Sequence, residues 1–245
     1  MIEDIYHSYL THLEEQRERT ENKFHASAAG SCFRKQLYSK YGFPQDSKDI
    51  KSYRLLRLGT LVHKDVEDAV SHYNKTNKDE SKKLLSEDKV ELDELNVVGT
   101  YDLGLLDEED NSFKLWDIKT VAAYKWTTKF GRKHNRKPST DANYKLQLGT
   151  YALGIHNKFQ VNKIDMYLLW YNKNTSAMRE QIISPEWIEK ALEYWGQLND
   201  IDYDVGQNFE EDLSPGYFNG VPFQDWECKY CQYYTICPSK LAEKK

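Results

Sequence analysis

Apolar residues recur at helical spacing over residues 2–22, where Ile2, Ile5, Tyr6, Tyr9, Leu10 and Leu13 fall on one face ahead of a charged stretch. A second short helix is expected over 32–41, ended by the turn Gly42-Phe43-Pro44. A third is expected over 53–73, with Leu55, Leu58, Val62, Val66 and Ala69 as its apolar stripe. The polar, lysine-rich run 74–88 reads as a loop. Two strands, 96–106 and 112–120, flank the turn 107–111 and predict an antiparallel hairpin. Residues 121–140 read as a basic, aromatic-bearing connection. A helix over 141–157, a buried strand over 163–172 and a partner strand over 178–183 follow. The next helix, 185–199, has Ser184 as its cap and Pro185 at its first position. From 206 the chain is rich in Gly, Pro and aromatics without periodicity, and no internal repeat is present. The order helix, strands, helix, strands, helix predicts an α/β fold, a mixed central sheet with helices packed on it.

Composition sharpens this only in places. The 245 residues are 39% hydrophobic and 13% aromatic, enough for a folded core. The formal net charge of −5 excludes a general nucleic-acid coat, which would be strongly basic. It does not exclude a nuclease, because carboxylates that hold metal ions make a chain acidic and the metals invert the local field. No window approaches the ~18 apolar residues of a membrane span. The start, Met1-Ile2-Glu3-Asp4-Ile5, lacks the basic and apolar regions of a signal peptide. A cytoplasmic, intracellular protein with no membrane partner is expected, a setting in which clustered cysteines bind metal more often than they form disulfides.

Candidate chemistry begins at Asp117-Ile118-Lys119, which closes the second hairpin strand. Residues two apart on a strand point the same way, so the carboxylate and the ammonium share a face while Ile118 packs on the other. Asp102, on the neighbouring strand, can reach that face. Two carboxylates and a lysine so placed can bind Mg²⁺ or Mn²⁺ beside a group that orients a water; alone, such a motif also describes a surface salt bridge. His63 lies one helix turn from Glu67, and Gln147 and Tyr151 share a helix face four residues apart.

In this order the pieces are GxxxH at 59–63, GxxD at 99–102, Asp117-Ile118-Lys119, and QxxxY at 147–151. Over about residues 55–155 the pattern resembles the RecB-type branch of the PD-(D/E)XK nucleases. The resemblance implies a restriction-endonuclease-like fold. It also implies metal ligation by His63, Asp102, Asp117 and the backbone carbonyl of Ile118, with Lys119 on the attacking water. Gln147 and Tyr151 would support the site or contact DNA. Glu67 stays open, either as a partner of His63 or as a solvated residue.

The four cysteines are Cys32 and the C-x2-C-x5-C set Cys228, Cys231 and Cys237. Four thiolates suit a [4Fe–4S] cluster or a structural zinc. Zinc takes its cysteines in paired knuckles, and Cys32 has no partner nearby in sequence; the run also differs from the ferredoxin spacing. One distant N-terminal cysteine with a C-terminal C-x2-C-x5-C resembles the iron–sulfur nucleases of the RecB type, among them CRISPR-associated exonucleases and viral recombination nucleases. The resemblance implies a [4Fe–4S] cluster that ties the two ends together. It divides the chain into an N-terminal helical region (1–54), a nuclease core (55–205) and a C-terminal cysteine region (206–245).

Residues 125–137 concentrate positive charge. Lys125, Lys129, Arg132 and Lys133 are candidates for phosphate contacts, and Trp126 and Phe130 for base stacking, against the plain alternative of a solvated loop. A second basic patch could form from Arg34, Lys35 and Lys40. The expected function is a metal-dependent exonuclease acting on single-stranded DNA ends in CRISPR adaptation, recombination or repair, with protein partners from such a complex. The alternatives are a non-catalytic iron–sulfur DNA-binding subunit and a zinc-stapled endonuclease. No P-loop is present, so a helicase would be a separate partner.

Overall fold

Four of the six strands, and the main helices around them, follow from this patterning; β1 and four further departures do not. The computed structural model describes residues 1–16, 22–77, 79–137, 141–213, 216–218 and 225–237. In chain order the elements are α1 (Ile2–Glu15), β1 (Phe24–His25), α2 (Phe33–Lys40), α3 (Ile50–Thr76), β2 (Lys82–Leu92), β3 (Val97–Asp107) and β4 (Ser112–Val121). Then come α4 (Ala123–Phe130), α5 (Ala142–Phe159), β5 (Lys163–Asn172), β6 (Met178–Ile183), α6 (Glu186–Val205), α7 (Phe209–Asp212) and α8 (Asp225–Lys229), with short 3₁₀ turns between some of them.

The sheet is mixed. β3 pairs antiparallel with β2 along its whole length and with β4 over Leu103–Asp107. β4 pairs parallel with β5, and β5 antiparallel with β6. The two-residue β1 pairs parallel with Val97 and Val98 at the start of β3. Because β2 occupies one edge of β3 throughout, β1 and β4 must share the other. Between Val98 and Leu103 that second edge has no strand partner among the described residues, so the sheet opens into a fork between β3 and the end of β4.

One face of the sheet carries most of the core. Leu115, Leu168 and Trp170 from the strands pack against Leu148, Ile155 and Trp195 from α5 and α6, all fully buried. The same cluster takes in Phe24, Phe33 and Tyr38 from the N-terminal segment and Phe209 and Tyr233 from the C-terminal one. α5 is buried along its length because it lies between the sheet and α6; Trp195 donates its indole N–H to Thr150 Oγ1 at 2.7 Å. On the other face, Leu103, Ile118 and Leu169 form a small second cluster under Val66 and Val70 of α3.

The departures have physical reasons. The run read as a loop becomes strand β2 from Lys82 onward; it is an edge strand whose first half faces solvent, and only Val90 and Leu92 are buried. The basic connection holds a helix, α4, and a 3₁₀ turn at Lys133–Asn135. Ser184 does not cap α6 with its side chain: Pro185 is the capping residue, and Ser184 contributes its carbonyl to the N–H of Trp187. The N-terminal half of the α3 stripe stays in solvent, with Leu55 and Leu58 exposed. The charged end of the first predicted helix, 17–21, lies outside the described residues. No helix among the described residues is long and apolar enough to cross a membrane.

Candidate active site

The fork in the sheet is where the candidate residues meet. Asp102 and Asp117 come directly after the last β3–β4 pair, Leu103–Trp116, and Glu87 falls between the β2–β3 pairs Ser86–Leu103 and Asp88–Tyr101 that flank Asp102. Three carboxylates thus form a row across three strands. The ladder is interrupted at this row on both sides. Ile118 gives its backbone N–H to Asp102 Oδ2 at 2.6 Å instead of to a strand carbonyl. Glu87 takes a left-handed backbone conformation, φ +51°, a region that an ordinary side chain enters at a cost of about 1 kcal/mol or more.

Asp117 is 1% exposed. Its Oδ2 lies 2.7 Å from Lys119 Nζ as an ion pair, yet that oxygen receives no hydrogen bond among the described residues. Burial pushes its carboxyl up to about 6; Lys119 opposes the shift and Asp102 adds to it. Burial works against the charge on Lys119, but Asp117 and Asp102 outweigh it and hold the ammonium protonated above its usual range. The ammonium donates to Gln147 Oε1 at 2.9 Å and sits 4.7 Å from the centre of the Tyr144 ring. Gln147 in turn donates from Nε2 to Tyr151 Oη at 2.8 Å. One amide therefore fixes two groups, with its oxygen toward the lysine and its nitrogen toward the phenol.

The glycine of GxxD has a steric reason. A Cβ on Gly99 would stand 2.8 Å from the Tyr151 ring and 2.7 Å from Ala26, so only glycine lets β3 approach α5 here.

α3 crosses the other side of the fork. His63 Nδ1 lies 3.4 Å from Asp102 Oδ1. Burial works against protonation of the ring, but Asp102 and then Asp117 raise it overall. His63, Glu87 and Asp102 each present a ligand atom within 4.8 Å of the others, and no other such group of His, Cys, Asp and Glu occurs among the described residues. Glu67, one turn along α3, lies close enough to Glu87 for its charge to act there. Burial, followed by the charges of Glu67 and Asp102, brings Glu87 up to about 7. Glu87 is the site residue the sequence reading missed. The alternation Val90-Glu91-Leu92 was the signal that could have extended a strand back through it.

The sequence profile of the PD-(D/E)XK nuclease superfamily matches residues 4–238. The chain belongs to that superfamily. PD-(D/E)XK nucleases use divalent metals such as Mg²⁺ or Mn²⁺, and the acidic row offers a place for one. Among solved structures, this superfamily member is similar to the protein SSO0001, with a TM-score of 0.55 and 19% identity over 98% of this chain and 97% of that one. A looser likeness, TM-score 0.46 and 14% identity, covers 84% of this chain and 92% of a candidate exonuclease from Eubacterium rectale. No curated protein matches in sequence.

The structure brings His63, Asp102, Asp117, Ile118, Lys119, Gln147 and Tyr151 together at the fork. The remaining candidates sit elsewhere. In α4, Trp126 and Phe130 pack on each other, 4.9 Å between ring centres, and lean on the core instead of standing in solvent. Lys129 is committed to the buried Asp141, 2.5 Å away, and lies over Trp170. Lys125 is half-buried, and burial lowers its ammonium. Arg132 and Lys133 are exposed, as are Arg136 and Lys137, and the exposed aromatic of the segment is Tyr124, whose hydroxyl accepts from Lys137 at 2.7 Å. Of the second basic patch, Arg34 and Lys40 are buried; Lys40 pairs with Asp202.

The segment that carries Cys32 meets the segment that carries the other three cysteines. Phe33 N–H bonds to the carbonyl of Gly216, Asp46 N–H to that of Gln232, and Thr235 N–H to the Asp46 carboxylate. Tyr38 stacks on Tyr233 with ring centres 5.0 Å apart. Cys32 precedes α2, Cys228 lies in α8, and Cys231 and Cys237 follow it, all half-buried and none of them in a disulfide. Burial pushes the Cys231 thiol up, and Cys32 and Cys237 are close enough to add to the shift. No three of the four sulfurs lie within 4.8 Å of one another, so they are neighbours without forming a tight ligand group.

Proposed function

We propose that the chain is a metal-dependent deoxyribonuclease that hydrolyses phosphodiester bonds from single-stranded DNA ends. The observation that carries the reading is Asp117, a buried carboxylate held 2.7 Å from the ammonium of Lys119 at the fork, with Asp102 beside it. A buried carboxylate is costly unless cations stand beside it; Lys119 is one, and a divalent ion is the expected second. The expected companions of Asp117 are His63, Asp102 and the carbonyl of Ile118. Mg²⁺ or Mn²⁺ bound there would supply Lewis acidity toward the scissile phosphate.

Lys119 stays protonated beside Asp117 and Asp102, so it acts by charge. It orients the attacking water and stabilises the extra negative charge that builds on the phosphate. Gln147 holds the ammonium from one side and is itself held by Tyr151, which makes both positioning residues. Arg132, Lys133, Arg136 and Lys137 leave an exposed basic surface along the segment that follows the catalytic strand, suited to the backbone of a single strand. The setting that goes with this activity is DNA processing, in CRISPR adaptation, recombination or repair, inside the cell and with protein partners.

The reading includes a [4Fe–4S] cluster on Cys32, Cys228, Cys231 and Cys237. One tetrahedral zinc with 2.3 Å bonds needs its sulfurs about 3.8 Å apart, closer than the spacing here allows. A four-iron core interposes its own iron and sulfide and would hold its thiolates wider than a single zinc does. Once bound, it would crosslink segments that already meet by hydrogen bonds.

The test is cleavage of end-labelled single- and double-stranded DNA with Mg²⁺ or Mn²⁺. Single strands should be shortened from their ends, EDTA should stop the reaction, and Lys119→Ala should slow it by ~100-fold or more. Full activity in Lys119→Ala or Asp117→Asn would overturn the assignment. Iron and sulfide analysis of anaerobically purified protein checks the cluster separately.

A further inference from the structure

Three side chains close around the ammonium of Lys119. Asp117 Oδ2 pairs with it at 2.7 Å, Gln147 Oε1 accepts from it at 2.9 Å, and the centre of the Tyr144 ring lies 4.7 Å away. The first two belong to the motif pattern and Tyr144 does not. It stands three residues ahead of Gln147 on α5, so the two share a helix face.

The ring is itself held in place. In the parallel β4–β5 register Lys119 is paired with Trp170, and Tyr144 lies against both side chains. Its ring meets the fully buried Trp170 indole at 65° with 5.9 Å between ring centres, an edge-to-face contact. Trp170 is fixed in turn by its indole N–H, which donates to Gln181 Oε1 at 3.0 Å. Burial keeps the Tyr144 phenol protonated, pushing it up from its usual range against the pull of Lys119, so the ring meets the lysine as a neutral aromatic. The negative face of such a ring attracts a desolvated ammonium. A lysine carries its charge on a flexible four-carbon stem. Two polar partners alone leave the ammonium free to pivot about the line between them, and a third contact removes that freedom.

We infer that Tyr144 is a positioning residue, whose ring fixes the Lys119 ammonium at the point from which it meets the attacking water and the phosphate. A misplacement of about 1 Å in such a group can cost about 100-fold in rate. The effect on rate rests on the nuclease reading; the hold on the ammonium does not.

The experiment changes the ring at position 144 and reads both cleavage and the lysine. In steady-state cleavage of labelled single-stranded DNA with Mn²⁺, Tyr144→Phe keeps the ring and should keep kcat within about twofold. Tyr144→Leu should lower kcat about tenfold with little change in KM. Tyr144→pentafluorophenylalanine, made by amber suppression, has nearly the shape of Tyr144→Phe but draws electrons away from the ring face, so it should fall with the leucine variant. Circular dichroism checks the fold, and the two phenylalanines decide the matter if Tyr144→Leu does not fold. Nuclear magnetic resonance of the metal-free protein needs no DNA. The ε-methylene protons of Lys119, assigned by their loss in Lys119→Arg, should be shifted upfield by the ring in the unsubstituted protein and in Tyr144→Phe, and should return to the ordinary lysine position in Tyr144→Leu. Full kcat in Tyr144→Leu, a fall in Tyr144→Phe as large as in Tyr144→Leu, a pentafluoro variant as fast as Tyr144→Phe, or unshifted Lys119 protons would each overturn the inference. If the unsubstituted protein cleaves no DNA, the nuclease reading falls and the resonance alone decides whether the ring holds the lysine.

Discussion

Adding one methyl group at Gly149 tests the packing that holds Gln147 and Tyr151 over the sheet. Gly149 lies on α5 between them, and a Cβ built there would stand 2.0 Å from the carbonyl oxygen of Trp187 and 2.7 Å from its carbonyl carbon. Approaches under 3.0 Å are essentially never seen, so α6 must retreat by about 1 Å. The obstacle is backbone, which cannot swing aside like a side chain. Overpacking of this kind costs about 1–3 kcal/mol, and a rigid obstacle belongs at the upper end. Replacing glycine by alanine inside a helix returns up to about 1 kcal/mol. The expected net loss for Gly149→Ala is about 2 kcal/mol, or a fall in Tm of about 4–8 °C for a chain of this size. Gly196 on α6 provides the control, because nothing lies within 4 Å of its would-be Cβ. Gly196→Ala should be neutral or up to about 1 kcal/mol more stable. Urea unfolding of both variants decides the matter, and Gly149→Ala at or above the unsubstituted stability would refute the close approach of α5 and α6.

Asp141 is 1% exposed and pairs with both Lys129 and Lys145, so Asp141→Ala should cost about 3 kcal/mol by leaving two ammonium groups without their partner. Burial opposes its charge, but these lysines hold its carboxyl below the usual range; the stability it lends is present above about pH 4 and is lost as pH falls through the depressed value, which acid titration of the unsubstituted protein and Asp141→Ala would reveal. At the row of carboxylates the sign is opposite. Glu87 is raised to about 7, Asp117 to about 6, and His63 above 6.5, so metal-free protein should lose stability as pH rises from about 4.5 through 7 and beyond. Mn²⁺ takes the place of those protons and should raise Tm more at pH 8 than at pH 6; an equal rise at both would contradict the shifts. Replacing Arg132 and Lys133 by Ala should lower the slope of log K against log salt for single-stranded DNA by roughly 0.7 for each phosphate no longer neutralised, and an unchanged slope would return them to the solvated surface.

The strands and helices with strong, continuous apolar patterns were legible. β5 and β6 run over the residues their patterns mark, 163–172 and 178–183, because both are bounded by clear turns. The motif residues were legible too, since each is a chemically distinctive group at a spacing that a strand or helix turns into a shared face. Glu87 was not, because β2 lies at a sheet edge with mostly solvent around its first half, and no periodicity survives where little is buried. The row Glu87–Asp102–Asp117 depends on register across three strands, and without β2 there was no register to read. Trp126 misled for a related reason. The basic residues around it promised an exposed loop, but α4 turns its aromatic side toward the core and leaves Tyr124 outside.

Across its 27 residues α3 has no buried side chain, although it carries His63 and Glu67. Asp117, Gln147 and Tyr151 belong instead to the most buried part of the molecule. The two halves of the site should therefore differ in how often they open. Amide protons of α5 and β4 should exchange only when the whole protein unfolds, whereas those of α3 should exchange through local fluctuations of much lower free energy. A cation bridging His63 to the sheet would then slow exchange along α3 far more than along α5, fastening a loosely held arm to a fixed floor.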